Sequence, residues 1–387
     1  MRHLFAVAVL ATAAVYAQTA APTPPLVRIV GQPQVVFDWS RDACAPDEIP
    51  DTPARAFRDA SGRVQLLIAH ERTRRLIGTS LDRLHRDCTV VFDSAENADP
   101  AAFEDREWLA SPYALPGGRT VVALVHDEYQ GNTHPGRCPS GSYRRCWYNA
   151  ITLAVSNDGG DSYVQARPPA RLVAAPSRRY VPDAGPIGVF EPSNIIGNPL
   201  DHLFYVLVHV IGPGGTPIGT CVMRTANLLA PGSWRAWDGR TFGLRSVDPY
   251  RRRGGTPCTV VSKVEIIDMH ESLTFNTWFR EFLLIGVSVA RDSATGKPVP
   301  GIYYSLSRDL VTWSARRLLL AAPVPWIQGC SSSPALAYPA ALDPASPSRN
   351  FDTTGSRFYL YVTRFNGGCS RPLDRDLVRF PVEVVTP

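Results

Sequence analysis

Five times along the chain, an apolar strand runs into a tight polar turn and comes back on an aromatic or apolar residue. The copies lie at 78–84, 155–163, 224–228 with Trp234 beyond, 305–313 and 374–380. The clearest reads Ser307-Arg308-Asp309-Leu310-Val311-Thr312-Trp313. A short acidic or amide side chain closes such a turn by accepting backbone N–H groups, and the aromatic ring packs the returning strand. A second pattern, a polar residue and usually Pro followed by apolar residues, precedes each copy at 51–57, 110–115, 190–195, 270–275 and 332–336. Between the two patterns stand strongly apolar runs, Val64–Ala69, Thr120–Val125, Leu203–Val208, Phe282–Val287 and Phe358–Val362.

Each unit therefore holds three or four strands over roughly 70 residues, the size of one blade in a radial repeat. The expected fold is all-β: a five-bladed β-propeller as a single domain over residues 41–387, with a cleft at the mouth of the central channel. A sandwich has no reason to repeat fivefold. The 35 Pro and 29 Gly are spread along the chain and leave little room for long helices. An apolar fraction of 44% with a net charge of only +5 excludes disorder.

Lys263 and Lys297 are the only lysines, so Arg supplies nearly all positive charge. Apart from Arg251-Arg252-Arg253 the arginines are scattered among 35 acids, which argues for a mixed surface and against nucleic-acid binding. Residues 1–17 read as a signal peptide: Arg2 and His3, an apolar stretch from Leu4 to Val15, and Val15-Tyr16-Ala17 before Gln18. The stretch is too short to span a bilayer, so no membrane association is expected after cleavage. Residues 18–40 read as an extended leader, and the mature chain as secreted or periplasmic. In an oxidising compartment eight cysteines imply disulfides. Pairing within each repeat predicts Cys44–Cys88, Cys138–Cys146, Cys221–Cys258 and Cys330–Cys369.

In a blade, the innermost strand starts at the channel mouth and the second strand ends there. Asp51, Arg55, Glu107, Trp108, Glu191, His270, Glu271 and Ser333 occupy strand starts; His70, Glu71, Arg72, His126, Asp127, Glu128, Tyr129, His209, Arg291 and Arg364 occupy second-strand ends. Acids, histidines and aromatics are dense in both sets.

The five units, with Asp51-Thr52-Pro53, Phe190-Glu191-Pro192 and the turn ending in Trp313, resemble the five-bladed propeller glycosidases of the arabinanase, xylosidase and invertase-like families. The resemblance covers most of 41–387. It implies a glycoside hydrolase with Asp51 as base or nucleophile and Glu191 as acid. The family's orienting Asp is missing from Trp108-Leu109-Ala110-Ser111-Pro112, and Glu107 or Asp127 stand in as candidates. Glu271 is as good a carboxylate as Glu191. The expected catalytic set is Asp51, Glu191 and Glu271, with Arg55, Glu107, Trp108, His126, Asp127, Tyr129, His209, His270, Arg291 and Arg364 around a carbohydrate substrate. Trp147 and Trp326 are further sugar-stacking candidates. One neutral carboxyl must donate a proton while an ionised one attacks or activates water.

Plainer readings stand beside these: Asp51 as a turn cap, Glu191 as a partner of Arg55, and the histidines at strand ends as hydrogen-bonding groups. No cofactor and no transition metal is expected, although a structural calcium ion in the channel is compatible with the acidic mouth. Two other functions fit the same pattern. A sialidase-like hydrolase would gather Arg55, Arg291 and Arg364 around a substrate carboxylate, and a sugar- or protein-binding propeller would need no catalytic pair.

Overall fold

The apolar runs are the second strands of antiparallel meanders with both faces covered, and Gln65, buried within the first of them, donates to Gly159 O at 2.8 Å. Val121, Ala123 and Val125 enter one buried cluster and Val122 and Leu124 enter the next, as the alternation of side chains along a strand requires. The computed structural model describes residues 25–167, 171–252, 254, 258–328, 334–368 and 370–385. It is all-β, with two four-residue helices among the described residues, Trp39–Asp42 and Pro325–Gln328. The segment read as a signal peptide, Cys330, Ser333 and Cys369 lie outside the described residues.

The first meander comprises Arg55–Arg58, Val64–Ile68, Arg72–Ser80 and Arg83–Asp93. The second runs Arg106–Ala114, Val121–Gln130 and Trp147–Ser156, with short strands Val164–Gln165 and Leu172–Ala174 on its edge. The third is Ile187–Pro192, Phe204–Gly212, Thr216–Thr225 and Arg235–Ala236. A short parallel pairing of Ile187 and Gly188 with Tyr148 and Asn149 joins the second and third into one sheet. The fourth is Ser272–Asn276, Glu281–Arg291, Pro298–Ser307 and Arg317–Ala321. The fifth is Ala335–Leu342, Arg357–Gly367 and Arg371–Val385.

Part of the segment read as a leader is built into this last sheet. Leu26–Ile29 and Gln34–Phe37 both pair antiparallel with Arg371–Val385, and Val27 and Phe37 are buried. The sequence pattern also misplaces its fifth turn: 374–380 lies within the strand Arg371–Val385. Pairing on both sides keeps that segment extended, and Asp376 there bonds Arg364 at 2.7 Å. At 78–84 the Ser80 hydroxyl accepts Asp82 N while Asp82 itself pairs with Arg379, but the remaining three turns are as expected in chemistry, with Asn227 Oδ1 accepting Leu229 N in one. Asp309 Oδ1 accepts the N–H groups of Val311 and Thr312, and Trp313 packs buried behind them. Asp158 Oδ1 likewise accepts from Asp161 and Ser162.

Five apolar clusters lie between successive meanders: first with second, second with third, third with fourth, fourth with fifth, and fifth with first. Side-chain hydrogen bonds between the units follow the same cyclic order. Arg55 Nε donates to Ala110 O (3.2 Å), Ser111 Oγ to Ser193 O (2.7 Å), and Asn194 Nδ2 to Leu273 O (2.6 Å). Ala341 N donates to Ser272 Oγ (2.9 Å) and Thr363 Oγ1 to Pro50 O (2.8 Å). Buried backbone groups that no ladder serves are thus satisfied by polar side chains of the neighbouring unit. Disulfides join Cys44–Cys88, Cys138–Cys146 and Cys221–Cys258, each within one unit.

Candidate active site

All five meanders contribute to one cavity of 370 Å³. Asp51 enters it from just before the first strand, Trp108 and Glu128 from the second unit, Phe190, Glu191 and His209 from the third. His270 and Glu271 come from the start of the fourth, and Tyr338 from the fifth. The shared geometry is that of strand starts and second-strand ends meeting at one end of every unit.

Glu191 has no ion pair within 4.0 Å among the described residues, and its Oε1 is enclosed without a hydrogen-bond partner. Burial pushes its carboxyl well above the usual range; Arg55 opposes this, and the nearby charges of Glu271 and Asp51 reinforce it. Arg55 lies beneath, 4% exposed. Its guanidinium donates to the Glu271 carbonyl at 2.6 Å, and burial lowers its pKa to about 10 despite the acids beside it. Glu271 is anchored differently. Oε1 accepts Val287 N (3.0 Å) and Oε2 accepts His270 N (2.9 Å). Gly286 makes this approach possible, because a Cβ there would sit 2.7 Å from Met269 Cβ and press on the Glu271 carboxylate.

Asp51 pairs with Arg375 and stands 3.9 Å from His70 Nε2. Glu128 accepts from Gln130 (3.0 Å) and the Tyr143 hydroxyl (3.3 Å). Burial, then the negative charge of Asp51, raises Glu128 to about 8. Two histidines are kept neutral by burial: His126, which bonds Asn149 at 3.1 Å, and His209, both lowered to about 3. Rings form a continuous band around the wall. Trp108, His126, Phe190, His209 and His270 follow one another at centroid separations of 6.2, 6.0, 6.1 and 5.5 Å. Trp147 meets Phe190 edge-on at 4.9 Å, and Trp326, 53% exposed, stands at the rim. Trp108 Nε1 is buried without a hydrogen-bond partner, and His209 Nδ1 lies 3.7 Å from Asp268 Oδ1.

Solved structures similar to this chain carry glycosidase names. The Cellvibrio cellulosa alpha-L-arabinanase aligns at 11% identity and TM-score 0.44, over 81% of this chain and 86% of that one. A glycosyl hydrolase from Bacteroides ovatus aligns at 10% and 0.45, over 90% and 93%. The GH43_1 enzyme from Xanthomonas citri, solved with xylotriose, aligns at 12% and 0.45, over 88% and 91%. No protein-family model matches the chain, and no curated protein matches it in sequence. The identities and TM-scores are low, so the cavity itself must carry the functional reading.

Of the residues singled out from sequence, Asp51, Glu191, Glu271, Trp108, His126, His209 and His270 line this cavity. Six others do not. Glu107, Asp127 and Tyr129 alternate with Trp108, His126 and Glu128 along their strands, and alternation sends them to the opposite face. There Glu107 accepts Ala95 N at 3.2 Å and Asp127 accepts Asp105 N at 3.0 Å, while Tyr129 packs on Tyr180. Arg55 is under the floor, Arg364 is tied to Asp376, and Arg291 ends its strand bonded to Gly296 O at 2.9 Å. The arginine trio of a sialidase-like site is therefore not assembled; the arginine lining the cavity is Arg144.

Glu128, Asp268 and Tyr338 line the cavity without having been assigned a role. Glu128 was legible as a second-strand end, whereas no pattern marks Tyr338. Among the described residues, one trio of metal-capable groups gathers its ligand atoms within 4.8 Å: Cys138, Cys146 and Asp183. The disulfide removes both thiolates from that role.

Proposed function

We propose that the chain is an exported glycoside hydrolase, a five-bladed propeller whose blades are the five meanders and whose cavity is the mouth of the central channel. The cyclic order of clusters and inter-unit hydrogen bonds supports the blade count. Export is supported by the disulfides and by the pattern of residues 1–17. The observation that carries the chemistry is Glu191: an enclosed carboxyl raised by burial, in the same cavity as the Arg375-paired Asp51.

Glycosidic cleavage needs that asymmetry. Glu191, its carboxyl pushed up by burial, passes its proton to the departing glycosidic oxygen as the C–O bond breaks. Asp51 supplies the negative partner that attacks the anomeric carbon or takes a proton from water. Glu271, with both oxygens fixed by backbone N–H groups, is held in place at the cavity wall. The ring band gives sugar faces a surface to stack on.

The test is turnover on arabinan, xylan, fructan and a sialoside by wild type and Glu191→Gln. Loss of the proton donor should lower turnover by about 10²–10⁴-fold with an unchanged circular dichroism spectrum. Full turnover by the variant removes Glu191 from the acid role, and a wild type inert on all four substrates counts against the hydrolase.

A further inference from the structure

Tyr338 is held where a strand tyrosine does not settle by itself. Its φ is +53°, in the left-handed region that non-glycine residues avoid, and Pro339 follows. The pairing explains how. Ala337 stands opposite Thr363 and Ala340 opposite Tyr361, so Tyr338 and Pro339 together face the single residue between them, a β-bulge. Bulges re-aim side chains, and backbone strain gathers at functional sites. Here the bulge carries the ring into the cavity, between Trp326 at 5.4 Å and Phe365 at 6.3 Å. Burial and then the charges of Asp51 and Glu191 hold the phenol well above its ordinary pKa, so it stays an O–H donor. A regular strand at this position would send the side chain to one of the packed faces and leave that side of the cavity without a donor.

We propose that Tyr338 is a ligand-positioning residue: the bulge aims its hydroxyl into the cavity it shares with Asp51 and Glu191, where it donates to an oxygen of the bound sugar. The strain at residue 338 is then kept for the ligand and not for the fold. The inference rests on the hydrolase reading given above.

Two experiments test it. The first measures strain: with the ring removed, Tyr338→Gly should melt at a higher temperature than Tyr338→Ala, because glycine tolerates the positive φ. In an ordinary extended strand the order reverses, and that result would overturn the strained bulge. The second uses Tyr338→Phe, which keeps the ring, with whichever of the 4-nitrophenyl glycosides of arabinofuranose, xylose, galactose and fructofuranose the wild type cleaves. Loss of one donor should lower kcat by about tenfold or more while KM moves less than about threefold, with a displaced pH optimum. An indistinguishable Phe variant of an active wild type sinks the role of Tyr338 alone. A wild type that neither cleaves these glycosides nor binds the parent sugars by calorimetry sinks the hydrolase reading and this proposal with it.

Discussion

The hairpin formed by Arg106–Ala114 and Val121–Gln130 has two faces that handle their acids in opposite ways. On the cavity face, Trp108 lies across from His126, with Glu128 beyond, and polar atoms such as Trp108 Nε1 have no partner. On the other face Glu107 and Asp127 stand directly opposite each other, 2% and 1% exposed. Two like charges so placed and so buried repel strongly. Burial, then the charge of Asp127, raises Glu107 to about 9, and burial raises Asp127 to about 7. Around them Ala95 N, Asp105 N and Gln165 donate, and Arg171 stands nearby, bonded to Gln165 and paired with Glu104 at 3.1 Å. One face lines the cavity; the other is closed off inside the fold. Acid density alone, read one residue at a time, does not separate the two uses, but strand alternation does.

The largest effect that would break this contrast is on stability. A carboxyl raised in the folded state binds its proton more tightly there than in the unfolded chain. Its contribution is therefore complete below about pH 4.5 and lost as pH climbs through about 9. Glu107→Gln removes that dependence, so urea unfolding across pH 5 to 9 should show wild type losing on the order of a few kcal/mol more than the variant. Parallel curves would mean that the back-face pair shares no proton. A smaller effect sharpens the contrast at neighbouring positions. Glu128→Gln, at the cavity wall and electrostatically linked to Asp51, should lower kcat by about tenfold or more, whereas Asp127→Asn should leave kcat within about threefold of wild type. Equal losses would erase the distinction between the faces. The smallest effect lies at a turn remote from both: Asp309→Ala should cost about 1 kcal/mol of unfolding free energy and leave turnover unchanged.

Much of the architecture was legible because it rests on local chemistry. Runs such as Leu203–Val208 are apolar at every position because neighbouring units cover both faces, and turns such as 307–313 announce themselves by a capping Asp and a packed Trp. The fifth turn was misread for the same reason: its Asp-rich spelling matches a cap, yet pairing on both sides of the strand Arg371–Val385 decides the conformation, and pairing is non-local. The segment 26–37 escaped as well, since its partner lies more than 340 residues away. At the cavity, residue types at strand ends pointed to the right neighbourhood, but facing was hidden by irregularities in the register. The pairing shifts between Ala337 and Ala340, and that offset falls at the cavity residue Tyr338. Tyr338 depends wholly on such an offset, so composition and periodicity carry no trace of it.

The two strands at 26–29 and 34–37, laid against the strand that ends at Val385, set the order in which this molecule can be made. Both find their sheet partner only in Arg371–Val385, so this sheet cannot be completed until the far end of the chain reaches it. Val27 and Phe37 are buried in the two apolar clusters that flank this sheet. That sheet is therefore completed by a meeting of distant ends, the kind of non-local pairing that forms slowly.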